Sequence, residues 1–442
     1  LGVQGLSAAR FLHARGARLL LADDAPIGQV EQRLADIGFS LRGMTLLESG
    51  LHPGLVQDID FLVLSAGVPR DHVALRAAIA HGIPVVSEIE VAAAHLPDAT
   101  FLGITGTNGK STTTTMLGAI LRQADPQAFV GGNLGTPLCD ALDFGAMPRL
   151  VALELSSYQL ETIESLRLAA GIITGLAPDH LDRYPDVDAY WKAKANLLGL
   201  LGSDGVAILN AQDPNSQQVL FPQRKGPGFD FGVGRGSLGV AIQGRVLELT
   251  TEARTIALEI TNERIVGHHN LMNAAAACAG ALAIGLTAES CESGLHAWPG
   301  IEHRLERLGV ACGLEWFNDS KATNVDAAVT ALRSFASGVH LIAGGKGKGS
   351  SYAPLVETSV GRVEAVYVIG EDAEVIADAF DGQIPVVRAG TLENAVAQIL
   401  ARAAPGQTLL LAPACASFDQ FPNYKVRGET LRRLFSAAGG AS

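Results

Sequence analysis

The sequence predicts an α/β protein of three domains, and three observations lead to that prediction. Apolar runs typical of buried parallel strands alternate with helical patterns along the whole chain. Glycine is abundant, with 50 residues among 442, and glycines directly follow predicted strands in every part of the chain. Breaks with proline at residues 95–100 and 298–300 divide it into predicted domains of residues 1–96, 97–298 and 299–442.

The composition excludes several classes of protein. The net charge of −12 argues against nucleic acid as a partner. The longest apolar stretches are too short and too rich in alanine and glycine to cross a bilayer, so no membrane partner is expected. The five cysteines are scattered and odd in number, which favours a reducing cytoplasm over a disulfide framework or a zinc site.

The first predicted domain begins with a glycine turn at residues 2–5, which opens a helix. Predicted strands follow over residues 18–22, ending at Asp23, and over residues 61–65, and we expect them to form a parallel sheet. A glycine turn, a helix and a strand that ends in an aspartate follow one another as in a truncated dinucleotide-binding motif, although a simple strand-to-helix turn explains them equally well. We expect a further strand before this turn, outside the sequence.

The second predicted domain begins with a strand over residues 101–105 that leads into Gly106-Thr-Asn-Gly-Lys110-Ser-Thr and a helix. Such a loop directs backbone N–H groups at a phosphate, while Lys110 neutralises its outer oxygens and Ser111 can ligate Mg²⁺. The spacing departs from the standard P-loop because Ile104 stands where the first glycine is expected. A glycine turn with a solvated lysine is the alternative.

Further strands are predicted over residues 150–155, 171–174 and 206–209, and a buried helix over residues 273–284.

Two polar groups follow strands of this domain. Glu154 lies near a strand end, where a carboxylate can be a second Mg²⁺ ligand; a capping or edge role is the alternative. His180 lies in the segment 179–184, and Lys192 and Lys194 follow on a predicted helix. A structural histidine is the alternative there, but the flanking acids favour a function.

The third predicted domain carries polar clusters at strand ends. Its strands are predicted over residues 314–317, 340–343, 365–369 and 408–411. Its clusters are residues 303–304, 318–324, 344–348 and 414–421. Because ligands of open parallel sheets bind beyond the carboxyl ends of the strands, we expect one shared cleft. Asn270 and Asn273 would share one helix face, where they could bind a nucleotide base or serve as a helix cap.

In this order the motifs resemble those of the Mur ligases, the ATP-dependent amide-forming enzymes of peptidoglycan precursor synthesis. The resemblance runs from Gly2 to Gly428. Its most specific segments are residues 106–112, 153–159, 179–184, 269–273, 303–306, 318–324 and 414–421. It implies a Rossmann-like first domain, a central P-loop ATPase domain with a mainly parallel sheet and a Rossmann-like C-terminal domain.

The resemblance also implies an activity. The chain would add D-glutamate to UDP-N-acetylmuramoyl-L-alanine through an acyl phosphate, with ATP and two Mg²⁺ ions, as a cytoplasmic monomer. Lys110, Glu154, His180 and Lys194 would be catalytic. ATP contacts are implied for Gly106, Thr107, Asn108, Gly109, Lys110, Ser111, Thr112, Asn270, Asn273, Arg304, Asp319 and Lys321. Contacts with the UDP substrate are implied for Leu6, Ser7, Asp23, Gly67, Asn133, Ser156 and Gln159. Contacts with the amino acid are implied for Thr323, Lys348, Ser417, Phe418 and Tyr424.

The metal ligands implied by the resemblance are Ser111 and Glu154 on one Mg²⁺ and His180 on the other. An ordinary ammonium beside this second ion would repel it, whereas a lysine carbamate adds an anionic oxygen ligand. The resemblance implies that Lys194 is carbamylated. The alternative is a solvated helix lysine such as Lys192.

Two other functions stay open at this stage. One is another amide ligase of the superfamily, such as a folylpolyglutamate-type enzyme, a Mur-type ligase for another amino acid, or a ligase that uses L-glutamate. The other is a sensor that binds a nucleotide or a UDP-sugar without catalysis. The joint presence of Lys110, Glu154, His180 and Lys194 argues against the sensor, since a binding protein has no need of two metal sites.

Overall fold

The computed structural model describes residues 1–47, 52–57, 59–65, 67–69, 71–143, 145, 147–180 and 183–440. The chain forms two compact units, Leu1–Thr261 with Met272–Ala297 and Asn262–Leu271 with Trp298–Ser442. Strands and helices alternate in both units, which confirms the predicted α/β class. Within the described ranges, none of the helices combines the length and apolar character that a bilayer crossing requires.

The N-terminal part of the first unit contains short parallel strand pairs. Its elements are α1 (Val3–Ala14), β1 (Leu19–Leu21), α2 (Ile27–Asp36), β2 (Met44–Leu46), a 3₁₀ turn (Pro53–Gln57), β3 (Leu62–Val63), α3 (Val73–Ala80), β4 (Val85–Val86) and α4 (Glu88–Ala93). Strand β1 pairs with β2 and β3 pairs with β4, both in parallel. The two predicted strands are therefore present in shorter form, in separate pairs, and Leu6, Val30 and Leu34 pack in the core between α1 and α2.

The central sheet of the first unit is parallel throughout. Its elements are β5 (Thr100–Thr105), α5 (Lys110–Ala124), β6 (Phe129–Gly132), α6 (Leu138–Asp143), β7 (Leu150–Glu154), α7 (Ser157–Leu160), β8 (Leu168–Ile173), α8 (Val187–Gly199), β9 (Leu201–Leu209) and α9 (Pro214–Val219). The strand order is β6-β7-β5-β8-β9. Strands β5, β7 and β8 are buried apolar runs because helices cover the faces of a parallel sheet. Their carboxyl ends lie side by side.

A small antiparallel sheet, one helix and the part of another helix from Met272 onward complete the first unit. The sheet consists of β10 (Gly239–Gln243), β11 (Val246–Thr250) and β12 (Thr255–Glu259). The sequence patterns did not predict this sheet, although Gly244, with a φ of +58°, begins the tight turn between β10 and β11. Helices α10 (His268–Ala283) and α11 (Ala288–Ala297) follow. Helix α10 starts five residues before the predicted helix and therefore includes Asn270.

The second unit contains a sheet with the order β13-β14-β18-β15-β16-β17. Its elements are β13 (Glu306–Ala311), β14 (Leu314–Asn318), α12 (Val325–Leu332), β15 (Val339–Gly344), α13 (Ala353–Ser359), β16 (Val363–Ile369), α14 (Ala373–Phe380), β17 (Val386–Gly390), α15 (Leu392–Leu400), β18 (Thr408–Leu411) and α16 (Tyr424–Ala437). Only β13 is antiparallel to its neighbour. The last strand, β18, lies between β14 and β15, so the ends of these three strands are neighbours.

Candidate functional site

The loop between β5 and α5 has a backbone that only glycine adopts readily at two positions. Gly106 has a φ of +140° and Gly109 a φ of +83°. A side chain on Gly106 would collide with Thr174, and one on Gly109 would collide with Asn273. Helix α5 begins at Lys110, directly after the loop, so its N-terminal N–H groups face the loop as an anion site requires.

Two lysine amines meet at the carbonyl of Gly106. Lys110 Nζ donates to the carbonyl oxygens of Gly106 and Thr107 at 2.9 Å each. Lys194 Nζ donates to the same Gly106 oxygen at 2.8 Å, from a side chain that is 1% exposed. Burial, with a smaller contribution from the charge of Lys110, lowers the pKa of Lys194 to about 6. Lys194 is therefore a mainly neutral amine at pH 7.

Glu154, at the end of β7, offers one oxygen to a cation. The side chain is 3% exposed, and its Oε1 accepts a hydrogen bond from Asn133 Nδ2 at 2.9 Å. Its Oε2 is buried and accepts no hydrogen bond from the residues that the structure describes. A buried carboxylate oxygen in this position needs a partner, and Mg²⁺ prefers such oxygens. Ser111, on the first turn of α5, is also buried.

His180 follows β8 in a ring of aromatic side chains. It has a φ of +54°, its Nδ1 lies 3.1 Å from the Tyr158 hydroxyl, and its Nε2 lies 3.8 Å from an oxygen of Asp179. The ring of Tyr190 lies 5.6 Å from the His180 ring and 4.6 Å from Lys194 Nζ. The structure therefore makes His180 and Lys194 neighbours of one tyrosine. Residue 182 of this motif lies outside the described residues.

These groups form a mixed set of oxygen and nitrogen donors. Within the described ranges, no group of three or more His, Cys, Asp or Glu side chains is arranged to hold a metal. A site for Mg²⁺ beside a nucleotide does not require one, because this ion keeps several waters and shares phosphate oxygens. Ser111 and Glu154 have the oxygen chemistry that one such ion needs, and their role as ligands stays a prediction.

The residues predicted to hold the UDP substrate have partners within the first unit. Ser7 Oγ donates to Asp140 at 2.7 Å, and Asp23 accepts from Arg33 at 2.7 Å. Leu6 is buried in the core, and Gly67 is exposed. Leu6 and Ser7 lie on α1, Asp23 follows β1 and Gly67 follows β3, and their contacts with the substrate stay predictions.

The other predicted UDP contacts lie at the end of β7. Asn133 donates to Glu154, as described above. Ser156 and Gln159 form a capping box at the start of α7, in which each side chain accepts from the other's backbone N–H. The Gln159 Nε2 group is buried and donates no hydrogen bond to a described residue. It is therefore a donor that a ligand could use.

In the second unit, the predicted nucleotide contacts follow β14. Burial raises the pKa of Asp319 to about 6, although the charges of Arg304 and Lys321 act in the opposite direction. Lys321 Nζ lies 5.6 Å from the ring of Tyr424. On helix α10, Asn270 Nδ2 donates to the carbonyl oxygen of Val266 at 2.9 Å. Asn273, which belongs to the first unit, accepts from Thr113 Oγ1 at 3.3 Å.

The predicted amino-acid contacts lie on loops after β14, β15 and β18. Lys348 and Phe418 are exposed, and Ser417 is buried. Thr323 follows β14, and Tyr424 begins α16. The structure thus brings the clusters at residues 318–324, 344–348 and 414–421 to neighbouring strand ends, and the shared cleft stays a prediction.

Arg427 is a residue that the sequence analysis missed. Its side chain is 1% exposed and donates to the carbonyl oxygens of Ser320 at 2.9 Å and Cys415 at 3.0 Å. Burial lowers its pKa to about 10, so it remains charged at neutral pH. It therefore joins the loop after β14 to the loop after β18. No pattern in the sequence distinguishes this arginine from the solvated residues beside it.

Three segments of the chain match known protein families. Residues 1–87 match the Mur ligase MurD-like N-terminal domain, residues 104–281 the Mur ligase middle domain, and residues 303–415 the Mur ligase glutamate ligase domain.

Curated relatives are similar over almost the whole chain. The UDP-N-acetylmuramoylalanine--D-glutamate ligase of Myxococcus xanthus is 41% identical, with 99% of this chain and 97% of that protein covered. The protein of the same name from Anaeromyxobacter dehalogenans is 40% identical, with 98% and 96% covered.

Solved structures share the fold at lower identity. The pseudomurein peptide ligase type C from Methanothermus fervidus has a TM-score of 0.59 at 17% identity, with 98% of each chain covered. A crystal structure of MurF from Acinetobacter baumannii has a TM-score of 0.58 at 19% identity, with 79% of this chain and 82% of that chain covered. These neighbours support the predicted three-domain α/β architecture.

The buried amine of Lys194 predicts a pH-dependent stability. In CO₂-free buffer, we expect the free energy of unfolding of the wild type, relative to Lys194→Met, to rise as the pH increases from 6.5 to 9.5. The folded pKa of about 6 lies below the ordinary value of 10.5, so the unfolded chain binds a proton that the folded chain does not. The slope should be on the order of 1 kcal/mol per pH unit.

Urea unfolding at three pH values measures this difference. Lys192→Met, which replaces an exposed lysine on the same helix, is the control for the hydrophobic substitution. If the free energies of unfolding of the wild type and of Lys194→Met change equally with pH, the Lys194 amine is protonated in the folded protein.

Proposed function

This chain belongs to the Mur ligase family, and we propose that it is the ATP-dependent ligase that adds D-glutamate to UDP-N-acetylmuramoyl-L-alanine in peptidoglycan precursor synthesis. The observation that carries the proposal is the similarity to D-glutamate ligases over almost the whole chain. It confirms the family predicted from the sequence motifs. The domain boundaries, the monomeric state and the cytoplasmic location stay predictions.

The reaction requires activation of a carboxylate. An oxygen of the L-alanyl carboxylate attacks the γ-phosphorus of ATP, the bond to the β,γ-bridging oxygen breaks, and ADP leaves. The amine of D-glutamate then attacks the carbonyl carbon of the acyl phosphate. The bond from this carbon to the phosphate oxygen breaks, phosphate leaves, and the amine loses its proton. Phosphate thereby replaces the strongly basic oxide as the leaving group, and one ATP is consumed.

The loop between β5 and α5 would hold the transferred phosphoryl group. The N–H groups at the start of α5 supply fixed dipoles, and Lys110 supplies a positive charge against the phosphate oxygens. Lys110 already lies against the loop through Gly106 and Thr107, so it needs only a local change of contacts to reach a phosphate. The remaining residues of the loop would position the β-phosphate.

Mg²⁺, when bound, would neutralise charge on the phosphates during transfer. We propose that Ser111 and the Oε2 atom of Glu154 hold one ion, because that buried oxygen has no donor among the described residues. We further propose that His180 and a carbamate on Lys194 hold a second ion. Their shared neighbour, Tyr190, supports this pairing.

The carbamate is supported by the environment of Lys194. An amine with a pKa of about 6 is roughly nine-tenths neutral at pH 7, and only the neutral amine adds CO₂. The addition forms an N–C bond and releases one proton from the nitrogen. The carbamate keeps an N–H group, which can still donate to the carbonyl oxygen of Gly106. Its oxygens supply the anionic ligand that an ammonium cannot.

The other substrates would bind at the remaining sites. We propose that Asn270, Asn273, Arg304, Asp319 and Lys321 contact the nucleotide. The UDP substrate would contact Leu6, Ser7, Asp23, Gly67, Asn133, Ser156 and Gln159. The amino acid would contact Thr323, Lys348, Ser417, the Phe418 backbone and Tyr424.

An assay of ADP release tests the function. With UDP-N-acetylmuramoyl-L-alanine, ATP and Mg²⁺, we expect ADP and a product whose mass has increased by one glutamate residue only when D-glutamate is added. L-glutamate, L-alanine and a diamino acid are the controls. Turnover with one of these instead would assign the chain to another ligase of the superfamily, and binding of substrates without turnover would assign it to the sensor class.

Replacement of Lys110 tests the phosphate site. In Lys110→Ala we expect kcat to fall on the order of 10³-fold, because one positive charge on the transferring phosphoryl group is lost. Circular dichroism should show an intact fold, since the side chain lies at a loop and not in the core. Lys225→Ala, at an exposed lysine of the same unit, should keep full activity. Near-normal turnover by folded Lys110→Ala would refute the assignment.

Replacement of Lys194 tests the carbamate. We expect Lys194→Ala to be inactive and to regain part of its activity in acetate, which can supply the missing carboxylate oxygen. Lys192→Ala should stay active without rescue. In ¹³C-bicarbonate, the wild type should show a carbamate carbon resonance that Lys194→Ala lacks. A fully active Lys194→Ala enzyme in CO₂-free buffer would contradict the proposal.

A further inference from the structure

Two loops of the second unit are paired through their backbones. The loop after β15 carries Lys348, and the loop after β18 carries Ser417. Lys346 N donates to the carbonyl oxygen of Ala416 at 2.9 Å, and Ala416 N donates to that of Lys346 at 3.0 Å. Lys348 thus lies two residues after Lys346, and Ser417 lies one residue after Ala416. The pairing therefore fixes the backbone close to both side chains.

A buried chain of side-chain hydrogen bonds connects the same loops. Tyr352 is 6% exposed, and its hydroxyl donates to Asp372 Oδ2 at 2.7 Å and lies 3.0 Å from Cys415 Sγ. Burial raises the pKa of Tyr352, and it raises that of Cys415 to about 11, so both keep their protons at neutral pH. The single proton of Tyr352 goes to the carboxylate, so the Cys415 thiol donates to the phenol oxygen. The chain therefore runs from Cys415 through Tyr352 to Asp372.

At the other end of this chain, Asp372 contacts the loop after β15. Its backbone N–H donates to the carbonyl oxygen of Gly345 at 2.9 Å. Its carboxylate lies so close to Gly347 that a Cβ atom at that position would collide with it. Gly347 is thus required by the carboxylate beside it. The loop after β15 is thus packed against Asp372, whose carboxylate accepts the hydrogen bond from Tyr352.

We propose that the chain of Cys415, Tyr352 and Asp372 sets the spacing between Lys348 and Ser417, and thereby the length of the acidic amino acid that the enzyme accepts. This inference rests on the proposed function, in which those two residues bind the amino acid. The three members are positioning residues, because they act on the substrate through the loops. Aspartate and glutamate differ by one methylene, and in a hydrophobic pocket one methylene is discriminated roughly 10- to 200-fold. A loop that is free to shift loses part of that discrimination.

Tyr352→Phe tests the chain by removing one hydroxyl while keeping the ring. We expect KM for D-glutamate to rise roughly 3- to 10-fold, as for the loss of one buried hydrogen bond. The preference for D-glutamate over D-aspartate, measured as a ratio of kcat/KM values, should fall by a similar factor. The kcat value with D-glutamate and the KM value for ATP should stay within about twofold, because no group at the phosphates has changed.

The matched control is Tyr367→Phe. Tyr367 is fully buried on β16 of the same sheet, and its hydroxyl lies 3.2 Å from His340 Nδ1, so the variant loses a comparable hydroxyl with no link to either loop. Its amino-acid preference should match that of the wild type. An equal loss of preference in both variants would indicate general destabilisation and would overturn the inference.

Gly347→Ala tests the other end of the chain. The new methyl group must displace the loop or the Asp372 carboxylate, so KM for D-glutamate and the preference ratio should change in the same direction as in Tyr352→Phe. Gly28→Ala, where a Cβ atom meets nothing within 4 Å, is the matched control. An unchanged preference in both Tyr352→Phe and Gly347→Ala would overturn the inference even when both proteins are folded.

A second measurement does not depend on turnover. The amide protons of Lys346 and Ala416 should exchange with deuterium faster in Tyr352→Phe than in the wild type and in Tyr367→Phe. Unchanged exchange would show that the chain does not hold the loops. Failure of the wild type to use D-glutamate, together with faster exchange, would refute the proposed function while leaving the positioning role of the chain intact.

Discussion

Strand β5 lies between β7 and β8 and forms parallel hydrogen bonds with both, and the rest of the central sheet depends on this arrangement. Parallel strands end at the same edge, so the loop that contains Gly106, the carboxylate of Glu154 and the segment that leads to His180 emerge together. The register pairs Ile104 with Glu154 and Ile172 with Ile104. The phosphate loop, which begins at Gly106, therefore starts two residues beyond the level of the Glu154 backbone.

Both units hold a buried basic side chain against loop carbonyl oxygens, with different results. Burial lowers the pKa of Lys194 to about 6, so at pH 7 it donates to Gly106 as a neutral amine. Burial lowers the pKa of Arg427 only to about 10, and it joins two loops as a cation. The difference follows from the ordinary pKa values of the two groups and from the delocalised charge of a guanidinium. A buried lysine can therefore act as a neutral, reactive amine, whereas a buried arginine stays charged and holds neighbouring loops together.

The second unit depends on the position of its last strand. Strand β18 lies between β14 and β15, so its carboxyl end brings residues 414–417 between the loops that follow the other two strands. Arg427 joins this segment to one neighbour, and the chain from Cys415 through Tyr352 joins it to the other. The amino-acid site would thus be built from three loops, each tied to the next by buried groups.

The sequence by itself determined the α/β class, the loop from Gly106 to Ser111 and the carboxylate at the end of β7. These features can be predicted because the signals for a buried strand, a glycine turn and a helix start all lie within about twenty consecutive residues. The small antiparallel sheet was missed, since each of its strands has only five residues. Tertiary structure alone decided the burial of Lys194, the role of Arg427 and the chain through Tyr352. Each of these depends on desolvation and on partners distant in sequence, which no local pattern records.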